Sequence, residues 1–73
     1  MTSKVRVDTS EWVRANNGNS PRGRAQWMFR NQAEWNVDTM ETMETSFVTY
    51  TTARNQAREW AEENGWPVVW VCR

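Results

Sequence analysis

Residues 21–31 decide the fold of this chain, and they read Pro-Arg-Gly-Arg-Ala-Gln-Trp-Met-Phe-Arg-Asn. A turn built on proline and glycine leads into a strand, in which successive side chains point to opposite faces. Ala25, Trp27 and Phe29 give this strand one apolar face. The opposite face is basic and polar and carries Arg24, Gln26, Met28 and Arg30. We therefore predict a strand over residues 24–31 with a core on one side and a contact surface on the other.

The size and composition of the chain limit how a core can be built. Its 73 residues make one domain, 1–73, near the length at which a single core is only marginally sufficient. The sequence has six tryptophans but no leucine, isoleucine or histidine, so we expect tryptophan and valine to supply most of the core. One tryptophan can bury roughly 150–250 Å². So small a domain cannot cover every indole, and we expect one or two to stay partly exposed.

The rest of the chain predicts an α+β domain with the element order β-β-β-α-β. Residues 4–8 alternate valine with charged residues, which predicts a first strand with both valines inward. Capping residues favour a helical turn from Ser10 to Ala15, before a loop over residues 16–21. Ser46 to Tyr50 predicts the third strand, and residues 34–46 predict an acidic loop that can hold one helical turn.

The helix that follows is defined by a stripe of three alanines and one tryptophan on a single face. That stripe consists of Ala53, Ala57, Trp60 and Ala61, and the alanines are small enough to let the helix lie close to a sheet. Thr51 or Thr52 is the expected N-cap, and Gly65 is the expected residue just past the last turn. Val68 to Cys72 then predicts the last strand. A right-handed crossover would place this strand parallel to the first and beside it, in a mainly antiparallel sheet of order 4-1-2-3 with the helix on one face.

The net charge of zero conceals a segregation of charge along the chain. Residues 1–31 carry a balance of +4, residues 32–50 a balance of −4, and residues 51–73 are neutral. Opposite patches of this kind can pair within one molecule or between copies. We expect neutralisation within the molecule, as the simpler of the two arrangements.

Two arginines on the predicted helix form a secondary candidate site. Arg54 and Arg58 are like charges at i and i+4, near the helix N-terminus, where the helix dipole disfavours cations. An anion bound beside them would relieve this conflict. The acidic segment 38–44 folding back onto the helix would relieve it as well.

The sequence lacks the residue patterns that catalysis requires. It has no histidine, no glycine-rich phosphate loop and no metal-ligand spacing, so we predict no enzyme activity, no cofactor and no metal site. Its one cysteine, Cys72, cannot form an internal disulfide. No leader-like segment opens the chain and no apolar run approaches the length that spans a membrane. We therefore expect a cytoplasmic protein that does not enter membranes.

One set of motifs extends over most of the chain. It consists of Gly18, the Pro21-Arg22-Gly23-Arg24 turn, Trp27 with Phe29, Tyr50 with Ala53 and Ala57, Gly65, and Val69 with Val71. This set resembles small proteins of tailed bacteriophages, which have no assigned activity. The acidic residues 34–46 depart from the compact hairpin that the resemblance implies. In architecture, a three-stranded sheet backed by a helix is also similar to AP2-type DNA-binding domains, and by analogy this implies a surface for nucleic acid.

The residues most suited to binding are basic and polar side chains on the solvent side of the first two strands. This candidate surface comprises Lys4, Arg6, Arg22, Arg24, Gln26, Met28 and Arg30. Tryptophan and arginine are common anchors of protein interfaces, so we predict a non-catalytic interaction module that binds a protein partner or forms a homodimer. The alternative is nucleic-acid binding through the basic sheet face. A sequence pI of about 6.2 argues against that alternative, because nucleic-acid-binding domains are usually strongly basic.

Overall fold

A computed structural model describes residues 4–72, which form the α+β domain that the sequence predicts. The elements in chain order are β1 (Arg6–Asp8), α1 (Ser10–Ala15), β2 (Arg24–Arg30), β3 (Thr42–Thr49), α2 (Tyr50–Asn64) and β4 (Val68–Cys72). The predicted helical turn α1 is confirmed over its whole length.

The four strands form one mixed sheet in the order β1-β4-β2-β3. β4 runs parallel to β1 and antiparallel to β2, and β2 is antiparallel to β3. The prediction that the first and last strands are parallel neighbours is confirmed, but the predicted order 4-1-2-3 is wrong. β1 pairs over only Arg6–Asp8, whereas β4 carries the fully buried Val69 and Val71. The longer and more apolar strand therefore takes the central position, and the short strand lies at the edge.

The core lies between the sheet and α2. Ala53, Ala57 and Ala61 are fully buried, because small side chains let a helix approach a sheet closely. The largest buried side chains that face them are those of Trp27, Phe29, Val69 and Val71. This confirms the predicted apolar face of β2 and the predicted alanine stripe.

Both ends of α2 have defined caps. Gly65 ends the helix with φ +74°, a left-handed conformation that glycine adopts without strain, as predicted. The N-cap is Thr49, rather than Thr51 or Thr52, and its Oγ1 accepts a hydrogen bond from the Thr52 backbone N–H at 3.3 Å. The helix therefore begins at Tyr50, and the prediction that Tyr50 ends the third strand is wrong.

β3 is longer than the sequence predicts, because it begins at Thr42 instead of Ser46. The acidic loop expected over residues 34–46 is therefore a loop only up to residue 41. The pairing of β2 with β3 shifts register between Gln26 and Met28, which marks a β-bulge. At the bulge the Trp27 backbone N–H donates to the Thr45 hydroxyl at 3.0 Å.

The tryptophans divide between core and surface as expected. Trp27 is 1% exposed and packs against Trp12 and Tyr50, with ring centroids 4.8 and 5.1 Å away. Trp35, in contrast, is 53% exposed. Neither helix of the described segment is long and apolar enough to cross a membrane.

Candidate interaction surface

The sheet carries α2 on one face only, and we call the other face the open face. Two rules identify the residues of the open face. Side chains alternate between the two faces along each strand, and residues paired across neighbouring strands point to the same face. The residues of the open face are Arg24, Gln26, Met28 and Arg30 of β2, Thr42, Glu44, Phe47 and Thr49 of β3, Val68, Trp70 and Cys72 of β4, and Arg6 and Asp8 of β1.

Three rows of paired residues on β2 and β3 form the part of this face that is farthest from Arg30. They are Arg24 with Thr49, Gln26 with Phe47, and Met28 with Glu44. Phe47 lies in the middle row and is 67% exposed. A large aromatic ring is therefore exposed to solvent between rows that carry charged and polar side chains.

The local sequence does not predict that Phe47 lies on the surface. Strict alternation from Met43, which packs against the core, would place Phe47 on the core side as well. The bulge inserts one extra residue between Glu44 and Phe47 and so turns the ring to the open face. No pattern of residue types in this segment predicts the bulge, so the sequence does not reveal the exposure of Phe47.

Arg30 is a buried arginine whose hydrogen bonds are made within the chain. Its side chain is 3% exposed, so the prediction that it belongs to a solvent-facing basic surface is wrong. Nε donates to the Gln32 carbonyl at 2.9 Å and Nη2 donates to the Ala33 carbonyl at 2.8 Å. Nη1 pairs with the Glu11 carboxylate and lies 3.5 Å from the Cys72 sulfur. Burial acts to lower the pKa of Arg30, but the hydrogen bonds to Glu11 and Cys72 outweigh it, and the pKa is raised.

Trp35 covers this buried arginine. Its ring lies 5.0 Å from the Arg30 guanidinium carbon, a cation–π distance. Its Nε1 donates to the Glu11 carboxylate at 3.1 Å, so Glu11 holds both residues. Beside this cluster lies an open cleft of about 380 Å³, lined by Ser10, Glu11, Arg14, Arg30, Ala33, Glu34, Trp35 and Trp70.

The structure separates the predicted candidate surface into parts. Lys4 and Arg6 are exposed, but β4 lies between their strand and β2, so the expected basic face of adjacent strands does not form. Arg6 approaches Asp8 at 3.8 Å. Arg22 and Arg24 are exposed at the far end of β2, and from Arg24 to Arg30 the strand rises about 20 Å.

Direct ion pairs between the basic residues 1–31 and the acidic residues 32–50, the expected form of neutralisation within the molecule, are absent among residues 4–72. The two ion pairs in this range join Arg6 to Asp8 and Arg30 to Glu11, and both lie within residues 1–31. The carboxylates within residues 32–50 form no ion pair with any other described residue; they belong to Glu34, Asp38, Glu41 and Glu44.

Arg54 and Arg58 remain a secondary candidate without a counter-charge in the described part of the chain. Both are half-buried, and their Nε atoms are buried without a hydrogen-bond partner. The acidic residues 38–44 form no ion pair with either arginine. Burial raises the pKa of the neighbouring Tyr50, while the positive charges of the two arginines act to lower it.

Cys72 belongs to the packed part of the open face. Its side chain is 3% exposed, and burial raises the pKa of its thiol, although the nearby Arg30 acts to lower it. A thiol with a raised pKa is a poor nucleophile at neutral pH, so we assign it to packing. In the range 4–72, no group of three acidic or cysteine side chains is placed to hold a metal ion.

Comparison with protein-family models, curated proteins and solved structures finds no match to this chain. The resemblance to small phage proteins therefore stays a prediction. Any functional proposal must depend on the geometry of the chain itself.

Proposed function

We propose that this protein is a non-catalytic interaction module, which binds a protein partner through the open face. The partner is either another protein or a second copy of the chain. The proposal depends on one observation, the exposure of Phe47. Its side chain is 67% exposed and lies in the middle of the three rows of β2 and β3. Aromatic side chains presented in this way are typical anchors of protein interfaces.

The surroundings of Phe47 also suit a protein partner. Met28, a half-buried apolar side chain on the neighbouring row of the same face, extends the apolar surface beside Phe47. Charged residues on the same face, Arg24 and Glu44, supply a polar rim. An apolar centre with a polar rim is the usual anatomy of an interface.

Site-specific photo-crosslinking tests this proposal. A benzophenone analogue of phenylalanine at position 47 should form a covalent adduct with a protein in the cells that produce the chain. The same analogue at Glu59, which is exposed on α2, is the matched control and should form far less adduct. Unmodified protein in excess should compete for the adduct at position 47. The proposal fails if position 47 forms no protein adduct, or if both positions form it equally.

A second candidate function is binding of single-stranded nucleic acid. One observation favours it, because Phe47 lies beside Gln26 and near Arg24, and an exposed ring next to a basic side chain can stack a base. Glu44 on the neighbouring row would repel the phosphates, and the charge of Arg30 is already compensated by Glu11. A gel shift with single-stranded DNA at 50 mM salt discriminates the two functions, since the protein-binding module should give no retarded band.

A further inference from the structure

We propose that the open face binds a second copy of this chain about a two-fold axis along the Gln26–Phe47 row. In this arrangement Arg24 of each copy pairs with the partner's Glu44. The inference rests on the proposed function and deepens it, because it names the partner of the same face. It follows from the order of the charges on that face.

The positions of the charges have the symmetry that a homodimer requires. Arg24 and Glu44 belong to the rows on either side of the Gln26–Phe47 row, each two residues from it along β2. The rise of a strand makes each of these steps about 7 Å. A two-fold axis along the middle row exchanges the two outer rows, so each Arg24 meets the partner's Glu44 row. Contacts that occur twice in this way define an isologous interface.

Among the described residues, 4–72, these two charges have no ionic partner within their own chain. Arg24 and Glu44 are both exposed, and neither forms an ion pair with any residue in the range 4–72. Within one copy their rows lie about 13 Å apart along the strand. The same two-fold operation keeps the two Arg24 guanidinium groups roughly 14 Å apart, so like charges do not meet. The segregation of charge along the sequence therefore becomes complementarity between two copies.

The apolar part of the face lies where the axis passes. Phe47 would lie against the partner's Phe47, and Met28 would lie near the row that carries the partner's Arg24 side-chain stem. Burial of the 67% exposed ring supplies the hydrophobic gain, and the charges fix the orientation. A two-stranded surface is smaller than the roughly 800 Å² per partner of a standard interface, so we expect a dissociation constant in the micromolar range.

Charge reversal and charge exchange test the dimer by sedimentation velocity. Arg24→Glu alone and Glu44→Arg alone should each weaken association at least tenfold. An equimolar mixture of these two variants should associate like the wild type, because both pairs then join opposite charges. The double variant R24E/E44R should associate as well. Arg22→Glu, an exposed change on the turn outside the three rows, is the matched control and should have no comparable effect.

Each result decides between the second copy and the broader function. The second copy is excluded if the wild type stays monomeric at 1 mM, a concentration far above a micromolar dissociation constant. It is also excluded if the single variants dimerise normally, or if both the mixture and the double variant fail to recover. An adduct with a different protein at position 47 would then leave the proposed function standing. A monomeric wild type without any adduct at position 47 would overturn both.

Discussion

The two ends of the open face differ in what covers them. At one end Trp35 and Glu11 fold over Arg30, whose side chain is only 3% exposed. At the other end Phe47 is 67% exposed. The small size of the chain does not by itself explain the exposure of Phe47. The same chain buries the charged side chain of Arg30, which lies only four residues along β2 from Gln26, the cross-strand partner of Phe47. We therefore expect the Arg30 end to contribute mainly to stability, whereas the Phe47 end carries the interaction that we propose.

The largest effect should come from removing the buried arginine. Arg30→Ala leaves the Gln32 and Ala33 carbonyls and the Glu11 carboxylate without their donor. Breaking a buried pair usually costs 3–5 kcal/mol, and we expect about 3 kcal/mol because Glu11 keeps access to water. Urea unfolding followed by tryptophan fluorescence measures the free energy of unfolding.

Arg24→Ala is the matched control for this change, since it removes an arginine of the same strand and the same face. Its side chain is exposed and has no ion pair in the described range, so the loss should stay within about 0.5 kcal/mol. Equal losses for Arg30→Ala and Arg24→Ala would show that the cluster around Arg30 does not stabilise the fold.

A smaller effect should follow from uncovering the arginine. Trp35→Ala removes the ring above Arg30 and the hydrogen bond from Nε1 to Glu11. Because the ring is 53% exposed, we expect a loss of about 1 kcal/mol in the free energy of unfolding. Trp35→Phe, which keeps a ring but lacks the donor, should lose less. Self-association should be unchanged in both variants, and a loss of dimer would place Trp35 in the interface instead.

The two arginines of β2 also show where sequence reasoning ends. Arg24 and Arg30 occupy equivalent positions in the alternation, and the sequence assigns both to solvent. What separates them is a connection of the chain, residues 31–35, that returns over Arg30 and supplies carbonyl acceptors. These acceptors are backbone carbonyls, and their positions depend on the path of the chain rather than on side-chain type. No pattern of residue types therefore predicts them.

The helix and the apolar face of β2 were predictable for a physical reason. Their patterns depend only on local periodicity, as in the alanine stripe of α2 and the glycine at +74° that ends it. The sheet order and the orientation of Phe47 depend on competition between strands and on a bulge. These are long-range features, and the local sequence specifies them weakly.

The smallest change in stability, and the largest change in association, should come from Phe47→Ser. The ring is 67% exposed, so its removal should alter the free energy of unfolding by no more than about 0.5 kcal/mol. Sedimentation velocity should nevertheless show a monomer at concentrations where the wild type dimerises. Val37→Ser is the matched control, because Val37 is 82% exposed but lies outside the three rows. The Val37→Ser variant should self-associate like the wild type. A stability loss above 2 kcal/mol for Phe47→Ser would mean that the ring supports the fold, and the contrast between the two ends of the open face would then disappear.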